Sequence, residues 1–320
     1  MQDFNIPILL IMFKRYDSLV AQMDILRTIH PANLYVFADG PGTDEEKADC
    51  IRARSALEKI DWPCEIRTKF MDANLGCGKG PATAISWFFE NEPEGIILED
   101  DLLPHPDFFR FCSELLEHFR DDIRIMEISG SNRLGRWGDG AQSYCYSQWG
   151  SECGWATWRR AWRHFDFTVR AWADPRTRNV IRNIYRTHLR ITFFNRILEQ
   201  TYRHHDLITW WDYQWGLAKN LNQGLSVVPA VSLVRNVGCD QHSNHDRDAS
   251  HRFAVPNDLK GIDFPLRHPD TVSPNHDFDE ALLRKAMSPR HYLSSMIPDG
   301  MKRRLKRFIG PGKEVSTWIP

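Results

Sequence analysis

The sequence has no excess of either charge, no paired-cysteine motif and no apolar run long enough to cross a membrane. Lys and Arg number 41 against 42 Asp and Glu, so no overall field favours nucleic acid as a partner. The seven cysteines form no C-x-x-C pair and no short-spaced His/Cys cluster, which argues against zinc and favours the reduced thiols of a cytoplasmic protein. The apolar run "IPILLIMF" at residues 6–13 is too short for a bilayer span or a secretion signal. We therefore expect a cytoplasmic protein with a local site and no nucleic-acid partner.

Tryptophan, by contrast, is abundant, with 12 residues in a chain of 320. Hydrophobic residues make up 42% of the chain and charged residues 26%, a globular composition that allows one large α/β domain or a core with a smaller lobe. The tryptophans crowd one stretch and include Trp137, Trp149, Trp155, Trp158, Trp162, Trp172, Trp210, Trp211 and Trp215. We expect most of them in the core and a minority in a cleft that stacks on a sugar or a base.

Apolar strand patterns alternate with helical patterns through the first 120 residues. The predicted strands lie at 6–13, 33–40, 64–70 and 95–100, and the predicted helices at about 16–29, 44–60, 81–91 and 106–119. This alternation predicts a parallel sheet with right-handed crossovers, as in nucleotide-binding folds. Such sheets bind ligands beyond the carboxyl ends of their strands. The polar residues at those ends are Arg15, Asp39, Asn74 and Glu99–Asp101.

The sequence changes character after residue 132. Gly- and Trp-rich turns are followed by Arg-rich helical sequence from about 156 to 205, and strand-like sequence returns at 225–245. We expect residues 1–132 to form a nucleotide-binding half, and residues 133–250 a second half, with a helical insertion, that completes the same domain. Residues 251–320, rich in Pro, Asp and His, would form an irregular C-terminal extension.

The segment "IILEDDLLPHPDFFRF" at 96–111 places three carboxylates directly after a buried strand. Like charges at a sheet edge are costly unless a cation or hydrogen-bond donors neutralise them. Because side chains alternate along an extended chain, Glu99 and Asp101 would point to one side and Asp100 to the other. One or two of them can hold Mg²⁺ or Mn²⁺ while another reaches a ribose hydroxyl. The alternative is a solvated acidic turn that precedes the next helix, with Asp107 at its N-terminus.

This segment resembles the metal-binding segment of GT-A fold glycosyltransferases, most closely the group around N-acetylglucosaminyltransferase I and similar bacterial sugar transferases. The resemblance continues in order along residues 6–245. It is carried by "PILLIMFKRYDSL", "VFADG", "NLGCGKGPATAISWFF", "GSECGWATWRRAW", "WWDYQW" and "NVGCDQHSNH". It implies a GT-A-like, mostly parallel sheet flanked by helices, with the helical insertion on the acceptor side and residues 1–132 binding a nucleotide sugar.

The resemblance also implies roles for single residues. Arg15 and Asp39 would hold the nucleotide, Glu99 and Asp100 the ribose and nearby sugar, and Asp101 the metal ion. Asn74 belongs to the same donor side. The general base that an inverting transfer requires would be Asp212, with Glu152 as the alternative. The closing-loop residue His245 would lie near the diphosphate or metal, unless it is an ordinary surface histidine. Gly154, Trp155 and Trp211 would contact the acceptor.

Each of three further patterns allows two interpretations. Lys79 in "GCGKG" either neutralises diphosphate or lies in a plain strand-to-helix turn, since the motif lacks a P-loop ending. Trp155, Trp158 and Trp162 share one helix face, as core residues or, for Trp155, as a stacking platform. The basic segment 301–309 either touches an anionic membrane surface or forms a surface helix.

The patterns and the resemblance together predict a metal-dependent, inverting glycosyltransferase that uses a nucleotide sugar and Mn²⁺ or Mg²⁺. The resemblance alone implies that the donor is UDP-linked. Its acceptor would be a glycan or a lipid-linked glycoconjugate, and the enzyme would be cytoplasmic with peripheral membrane contact through 301–309. One alternative is a sugar-phosphate nucleotidyltransferase, which would need a Gly-rich basic loop after the first strand. The other is a non-catalytic carbohydrate-binding protein that uses the tryptophan cluster.

Overall fold

A computed structural model describes residues 4–185, 187–238 and 259–286 of the chain. The strands are β1 Ile8–Met12, β2 Asn33–Ala38, β3 Glu65–Phe70, β4 Glu94–Glu99, β5 Leu102–Pro104, β6 Ile125–Ser129, β7 Tyr144–Ser147, β8 Trp155–Trp158, β9 Leu225–Pro229 and β10 Val234–Asn236. The α-helices are α1 Tyr16–Ile29, α2 Glu46–Ser55, α3 Gly76–Asn91, α4 Pro106–His118, α5 Arg159–Trp162, α6 Pro175–Tyr185, α7 His188–His204, α8 Asp212–Leu221 and α9 His276–Ala286. Short 3₁₀ turns cover Ala56–Lys59 and Arg170–Ala173.

In these described residues, eight strands form one sheet in the order β3-β2-β1-β4-β8-β6-β9-β7. The strand β1 is parallel to β2 and β4, β2 is parallel to β3, and β6 is parallel to β9. The strands β8 and β7 run antiparallel to their neighbours. The prediction of an α/β protein with a mostly parallel sheet flanked by helices is therefore confirmed.

Helices cover both faces of the sheet because the strand residues alternate between them. Along β1, Ile8, Leu10 and Met12 pack with the apolar faces of α1 and α4, whereas Leu9 and Ile11 pack towards α3 and α8. All five residues of β1 are buried, as expected for a parallel strand covered on both sides. Burial of each large apolar side chain contributes roughly 1.5–3 kcal/mol, so β1 is a central element of the fold.

The chain changes direction across the sheet at β1. It passes from β1 to β2 and β3 on one side and then crosses to β4 on the other side. Open α/β sheets bind their ligands in the crevice outside the carboxyl ends of the strands at such a switch point. The crevice lies between the end of β1, where Arg15 follows, and the end of β4, where Glu99–Asp101 follow.

One predicted element type and one predicted helix start are wrong. Trp155 and Trp158 lie in the strand β8 rather than on one helix face, and their side chains enter the cores on opposite sides of the sheet. An i, i+3 spacing of aromatic residues fits either element over so short a stretch. The helix α3 begins at Gly76, five residues before the predicted start, so "GCGKG" forms its first turn instead of a preceding loop.

The C-terminal extension contains the helix α9, which the sequence interpretation missed. Phe278 and Leu282 of α9 pack against Cys145 and Val228 of the outer strands. The preceding segment adds a backbone hydrogen bond of 2.9 Å from the Ser143 N–H to the Arg267 carbonyl. The described part of this extension therefore packs onto the core, while residues 301–309 lie outside the described residues and their membrane contact stays a prediction.

Candidate functional site

Asp100 ties the end of β4 to the end of β1. Its Oδ2 accepts a hydrogen bond of 2.8 Å from the backbone N–H of Phe13. The Arg15 guanidinium lies beside it, with Nε 3.7 Å from Asp100 Oδ1 and Nη2 3.9 Å from Asp101 Oδ2. The Arg15 side chain is 40% exposed, so it neutralises the carboxylates from the solvent side of the crevice.

Helix α1 holds the backbone of the acidic turn, our name for Glu99, Asp100 and Asp101. Gln22, which is buried, donates to the Glu99 carbonyl at 2.6 Å and also to the Leu102 carbonyl. Ser18 donates to the Asp100 carbonyl. Neither residue was identified from the sequence, although a glutamine on the buried face of an apolar helix is a signal for such a polar contact.

Two carboxylates of the acidic turn have raised pKa values, because of burial and of repulsion within the turn. Burial, followed by the charges of Asp101 and Asp100, raises the pKa of Glu99 well above its usual value, and Cys77 and Asp212 add to the effect. Burial and the Asp101 charge raise the pKa of Asp100 to about 6, although the Phe13 N–H and Arg15 oppose the rise. Oxygen ligands that repel one another suit a hard divalent cation.

The described residues do not form a complete metal site by themselves. No group of three or more His, Cys, Asp or Glu side chains in the described ranges is arranged to hold a metal ion. His245, the predicted additional ligand, lies outside these ranges. Metal binding by Asp101 therefore stays a prediction.

The start of the predicted closing loop lies directly on Asp101. The strand β10 pairs antiparallel with β5, and the Val237 N–H then donates to the Asp101 carbonyl at 2.8 Å. A Cβ atom at Gly238 would lie only 2.1 Å from Asp101 Oδ2. Glycine at this position therefore allows the loop to pass close to the carboxylate.

Asp39 binds backbone at the start of α3. Its Oδ1 accepts from the N–H groups of Gly40 and Leu75, both at 2.9 Å, and its Oδ2 from Gly76 at 3.1 Å. An acceptor here stabilises the helix by satisfying N–H groups that have no partner within it. The predicted contact of Asp39 with the nucleotide would have to share this carboxylate, so the geometry supports a role in shaping the loop.

Asn74 and Lys79 lie further out on the donor side. Asn74 is exposed, and its Nδ2 donates to the Gly40 carbonyl at 3.0 Å. The Lys79 ammonium forms a 3.0 Å ion pair with Asp206 at the surface, where the two side chains are 44% and 74% exposed. Lys79 is thus engaged on the outside of α3, and its predicted contact with diphosphate stays untested.

A second set of charged groups, the polar cluster, consists of Arg133, Glu152, Asp212 and Lys219. Arg133 Nη2 lies 3.5 Å from Glu152 Oε2, and Lys219 Nζ lies 3.9 Å from Glu152 Oε1. Asp212 is the first residue of α8. The two predicted candidates for the general base, Glu152 and Asp212, therefore belong to one group of interacting charges.

The two candidate bases differ in their environment. Burial and the charge of Glu127 raise the pKa of Glu152 to about 7, against the opposing effects of Lys219 and Arg133. Burial also raises the pKa of Asp212, but Arg133 and backbone N–H groups at the start of α8 oppose it. A base with a pKa near neutrality is best matched to proton transfer at physiological pH.

Cys153 connects the polar cluster with the acidic turn. Burial raises the pKa of its thiol to about 12, Arg133 opposes the rise, and Asp101, Glu99 and Glu152 add to it. The same thiol thus lies within the fields of both groups. The charge of Asp212 likewise acts on Glu99, so the two groups influence one another electrostatically.

The predicted acceptor-side tryptophans are core residues. Trp155 is fully buried and Trp211 nearly so, and their rings stack with centroids 5.9 Å apart. Gly154 has φ 66°, and a Cβ atom there would lie 2.8 Å from Val234. These positions favour core packing over stacking on a ligand for Trp155 and Trp211, and their contact with an acceptor stays a prediction. Gly154 lies in the backbone turn before β8.

Three residues of the site were missed from the sequence: Glu127, Arg133 and Lys219. Glu127 could have been noticed as a charged residue within the apolar strand "IMEIS", because a buried carboxylate needs a partner. Arg133 and Lys219 lie among many other basic residues, and nothing in their local sequence distinguishes them.

No protein family that was scanned and no curated protein that was searched matches the chain. Among solved structures, the chain is similar to 4-diphosphocytidyl-2C-methyl-D-erythritol synthase from Anaerococcus prevotii DSM 20548. The two share 10% sequence identity with a TM-score of 0.31, over 62% of this chain and 100% of the other. A similarity of this size is too low to assign function. In the described residues no helix is long and apolar enough to cross a membrane.

Proposed function

We propose that the protein is a metal-dependent, inverting glycosyltransferase that moves a sugar from a nucleotide-sugar donor, UDP-linked, to a hydroxyl group of a glycan or lipid-linked acceptor. The proposal rests on two groups: the acidic turn with Arg15 beside it, and the polar cluster, in which Glu152 lies beside Arg133 and Lys219. One group offers oxygen ligands and a cation at the switch point of an α/β sheet, and the other offers a candidate base. Group transfer from an activated donor needs both.

The donor side would be formed by the acidic turn and Arg15. Asp101 would hold Mn²⁺ or Mg²⁺, with diphosphate oxygens and water among the remaining ligands. Three adjacent carboxylates that repel one another suit such an ion, because it prefers oxygen ligands. When bound, the ion would neutralise charge that develops on the leaving nucleoside diphosphate. Arg15 is placed to bind a phosphate from the solvent side.

The acceptor hydroxyl would be deprotonated by Glu152. Its pKa of about 7 allows a substantial fraction to be ionised at neutral pH while remaining a strong enough base. Arg133 would hold the carboxylate in place through the 3.5 Å contact. Asp212, whose carboxylate is stabilised by backbone N–H groups, is the weaker proton acceptor and the alternative base.

The structure offers less support for the two alternative functions. A sugar-phosphate nucleotidyltransferase would need a Gly-rich loop after β1, but only residues 13–15 separate β1 from α1. A carbohydrate-binding protein would need exposed tryptophan faces. In the described residues, the clustered tryptophans at 155, 158, 162, 172, 210, 211 and 215 are buried, and Trp137 and Trp149 are half-buried and pack against the apolar core.

The test is the hydrolysis and transfer of sugars from a panel of UDP-sugars in the presence of Mn²⁺. We expect slow release of UDP by the wild-type protein and its loss on chelation of the metal. Glu152→Gln should retain UDP binding and lose most of the transfer, roughly 100-fold or more, as expected for removal of a general base. Asp212→Asn is the matched control: a larger loss in this variant than in Glu152→Gln would move the base to Asp212. No turnover and no binding with any nucleotide sugar would refute the proposal.

A further inference from the structure

Glu127 is a fully buried carboxylate with four hydrogen-bond donors around it. Its Oε1 accepts from Ser129 Oγ at 2.7 Å and from the Ser151 N–H at 3.0 Å. Its Oε2 accepts from Trp215 Nε1 at 2.8 Å and from Lys219 Nζ at 2.5 Å. Although burial opposes it, the ammonium and these donors hold the pKa of Glu127 below its usual value. The carboxylate is therefore ionised at neutral pH.

Lys219 divides its ammonium group between two carboxylates. The side chain is 2% exposed, and its Nζ also donates to Ser226 Oγ at 2.9 Å and lies 3.9 Å from Glu152 Oε1. Buried ion pairs of this kind often add little to stability compared with apolar side chains of similar size. The position of the Lys219 ammonium between Glu127 and Glu152 therefore indicates a functional role.

The loop that carries Glu152 is shaped around Glu127. The Glu127 carboxylate binds the N–H of Ser151, the residue directly before Glu152. A Cβ atom at Gly150 would lie 1.8 Å from Glu127 Oε1, so only glycine permits this approach. The Glu127 carboxylate thus fixes the backbone of residues 150–152 as well as contributing charge.

We propose that Lys219 and Glu127 act as a pair of positioning residues that hold Glu152 in place and balance its charge. This inference rests on the proposed function only in assigning Glu152 as the base. The charged and titratable groups that act on Glu152 are Glu127 from β6, Lys219 and Asp212 from α8, and Arg133 from the loop after β6. Tyr213 and Cys153 face the same carboxylate. Removing either member of the pair leaves the other charge unbalanced next to Glu152.

The two single substitutions should move the pH dependence of transfer in opposite directions. Lys219→Met removes a cation, so ionisation of Glu152 becomes harder, and the rising limb of kcat/KM should move up by about one pH unit. Glu127→Gln removes an anion, so that the Lys219 ammonium interacts with the Glu152 carboxylate alone. The rising limb of kcat/KM should therefore move to lower pH by a similar amount. The double substitution removes both charges, so its pH midpoint for kcat/KM should be closer to that of the wild type than the midpoint of either single variant.

The measurement is the pH profile of kcat/KM together with the ¹³C NMR titration of the glutamate side-chain carboxyls, in which the Glu152 signal is assigned by its loss in Glu152→Gln. Lys219→Arg keeps the charge and should keep the wild-type midpoint. Glu94→Gln is the control, because it removes the charge of another ion pair, between Glu94 and the half-exposed Arg120 at 3.0 Å, at the start of β4; the midpoint of this variant should not move.

Unchanged midpoints in both single variants, or shifts in the same direction, would overturn the positioning role. The NMR titration separates this result from a failure of the proposed function. If the Glu152 titration shifts in opposite directions but no sugar is transferred, the charge pair stands and the transferase assignment fails.

Discussion

The backbone N–H of Phe13 donates a hydrogen bond of 2.8 Å to Asp100 Oδ2. Phe13 directly follows β1 and Asp100 directly follows β4, so this bond joins the carboxyl ends of two neighbouring parallel strands. The same carboxylate lies 3.7 Å from the Arg15 guanidinium. Asp100 therefore combines a structural contact with a place in the proposed donor site.

These two roles of Asp100 can be separated by substitution. Asp100→Ala leaves the Phe13 N–H without its acceptor and should lower the free energy of unfolding by about 1–3 kcal/mol. Asp100→Asn keeps an acceptor oxygen and relieves the repulsion with Asp101, so it should be as stable as the wild type in the absence of metal. Urea unfolding in chelator tests both variants. An equal loss in the two would show that the hydrogen bond does not matter.

A methyl group at position 238 should disturb the acidic turn, because a Cβ there would meet Asp101 Oδ2 at 2.1 Å. We expect Gly238→Ala to weaken the affinity for Mn²⁺ with UDP on the order of 10-fold or more, as for other changes that displace a metal ligand. Calorimetric titration measures this change. Gly216→Ala is the control, since a Cβ at that position in α8 meets no atom within 4 Å; its stability should rise by about 0.5–1 kcal/mol. Unaltered affinity in Gly238→Ala would contradict the close approach of the loop to Asp101.

The burial of Trp155 predicts a loss of stability on truncation rather than a selective loss of acceptor binding. Trp155→Ala should destabilise the fold by about 3–5 kcal/mol, as for other buried aromatic side chains. Trp155→Phe should cost less and retain donor binding. Urea unfolding and acceptor titrations distinguish the two effects. A stable Trp155→Ala protein with weakened acceptor affinity alone would restore the stacking role.

The docking of α9 should depend on pH through Asp279. Its carboxylate accepts from Ser147 Oγ at 2.5 Å and from the Gln148 N–H at 3.2 Å, and burial raises its pKa to about 6. The pKa of an aspartate in the unfolded chain is about 3.9, so the folded protein favours the protonated form of Asp279. The stabilisation of the fold by protonated Asp279 is fully present below about pH 4 and is lost as the pH rises through about 6.

Asp279→Asn removes this titration, so the stability of the variant should increase relative to that of the wild type as the pH rises. We expect the difference in the free energy of unfolding between the two proteins to change by about 1–3 kcal/mol between about pH 4 and pH 8. Urea unfolding at several pH values measures the difference directly. A difference that stays constant with pH would mean that Asp279 titrates normally in the folded protein.

Much of the parallel half of the fold could be predicted because its signals are local. The strand β1 and the helix α1 follow from an apolar run and from apolar residues at helical spacing, and α1 was predicted with its observed bounds. The acidic turn was found because Glu99, Asp100 and Asp101 directly follow a buried strand. Knowledge of the strand order then places them at the switch point.

The remaining features depend on contacts between distant residues. The early start of α3 depends on Asp39, which binds N–H groups more than thirty positions along the chain. Lys219 meets Glu127 across 92 positions, and neither local sequence contains this information. The sequence left both core packing and stacking open for Trp155, because aromatic spacing does not reveal whether a ring faces a ligand or the core.

In the proposed function, the acidic turn binds a nucleoside diphosphate together with a divalent cation. The most direct test is isothermal titration of UDP into the metal-free protein with and without Mn²⁺, for the wild type, Asp101→Asn and the Gly216→Ala control. We predict that UDP binds the wild type and the control only when Mn²⁺ is present, and that Asp101→Asn weakens this binding at least about 10-fold. Absence of UDP binding under both conditions, or equal Mn²⁺-dependent binding by Asp101→Asn and the wild type, would contradict the claim.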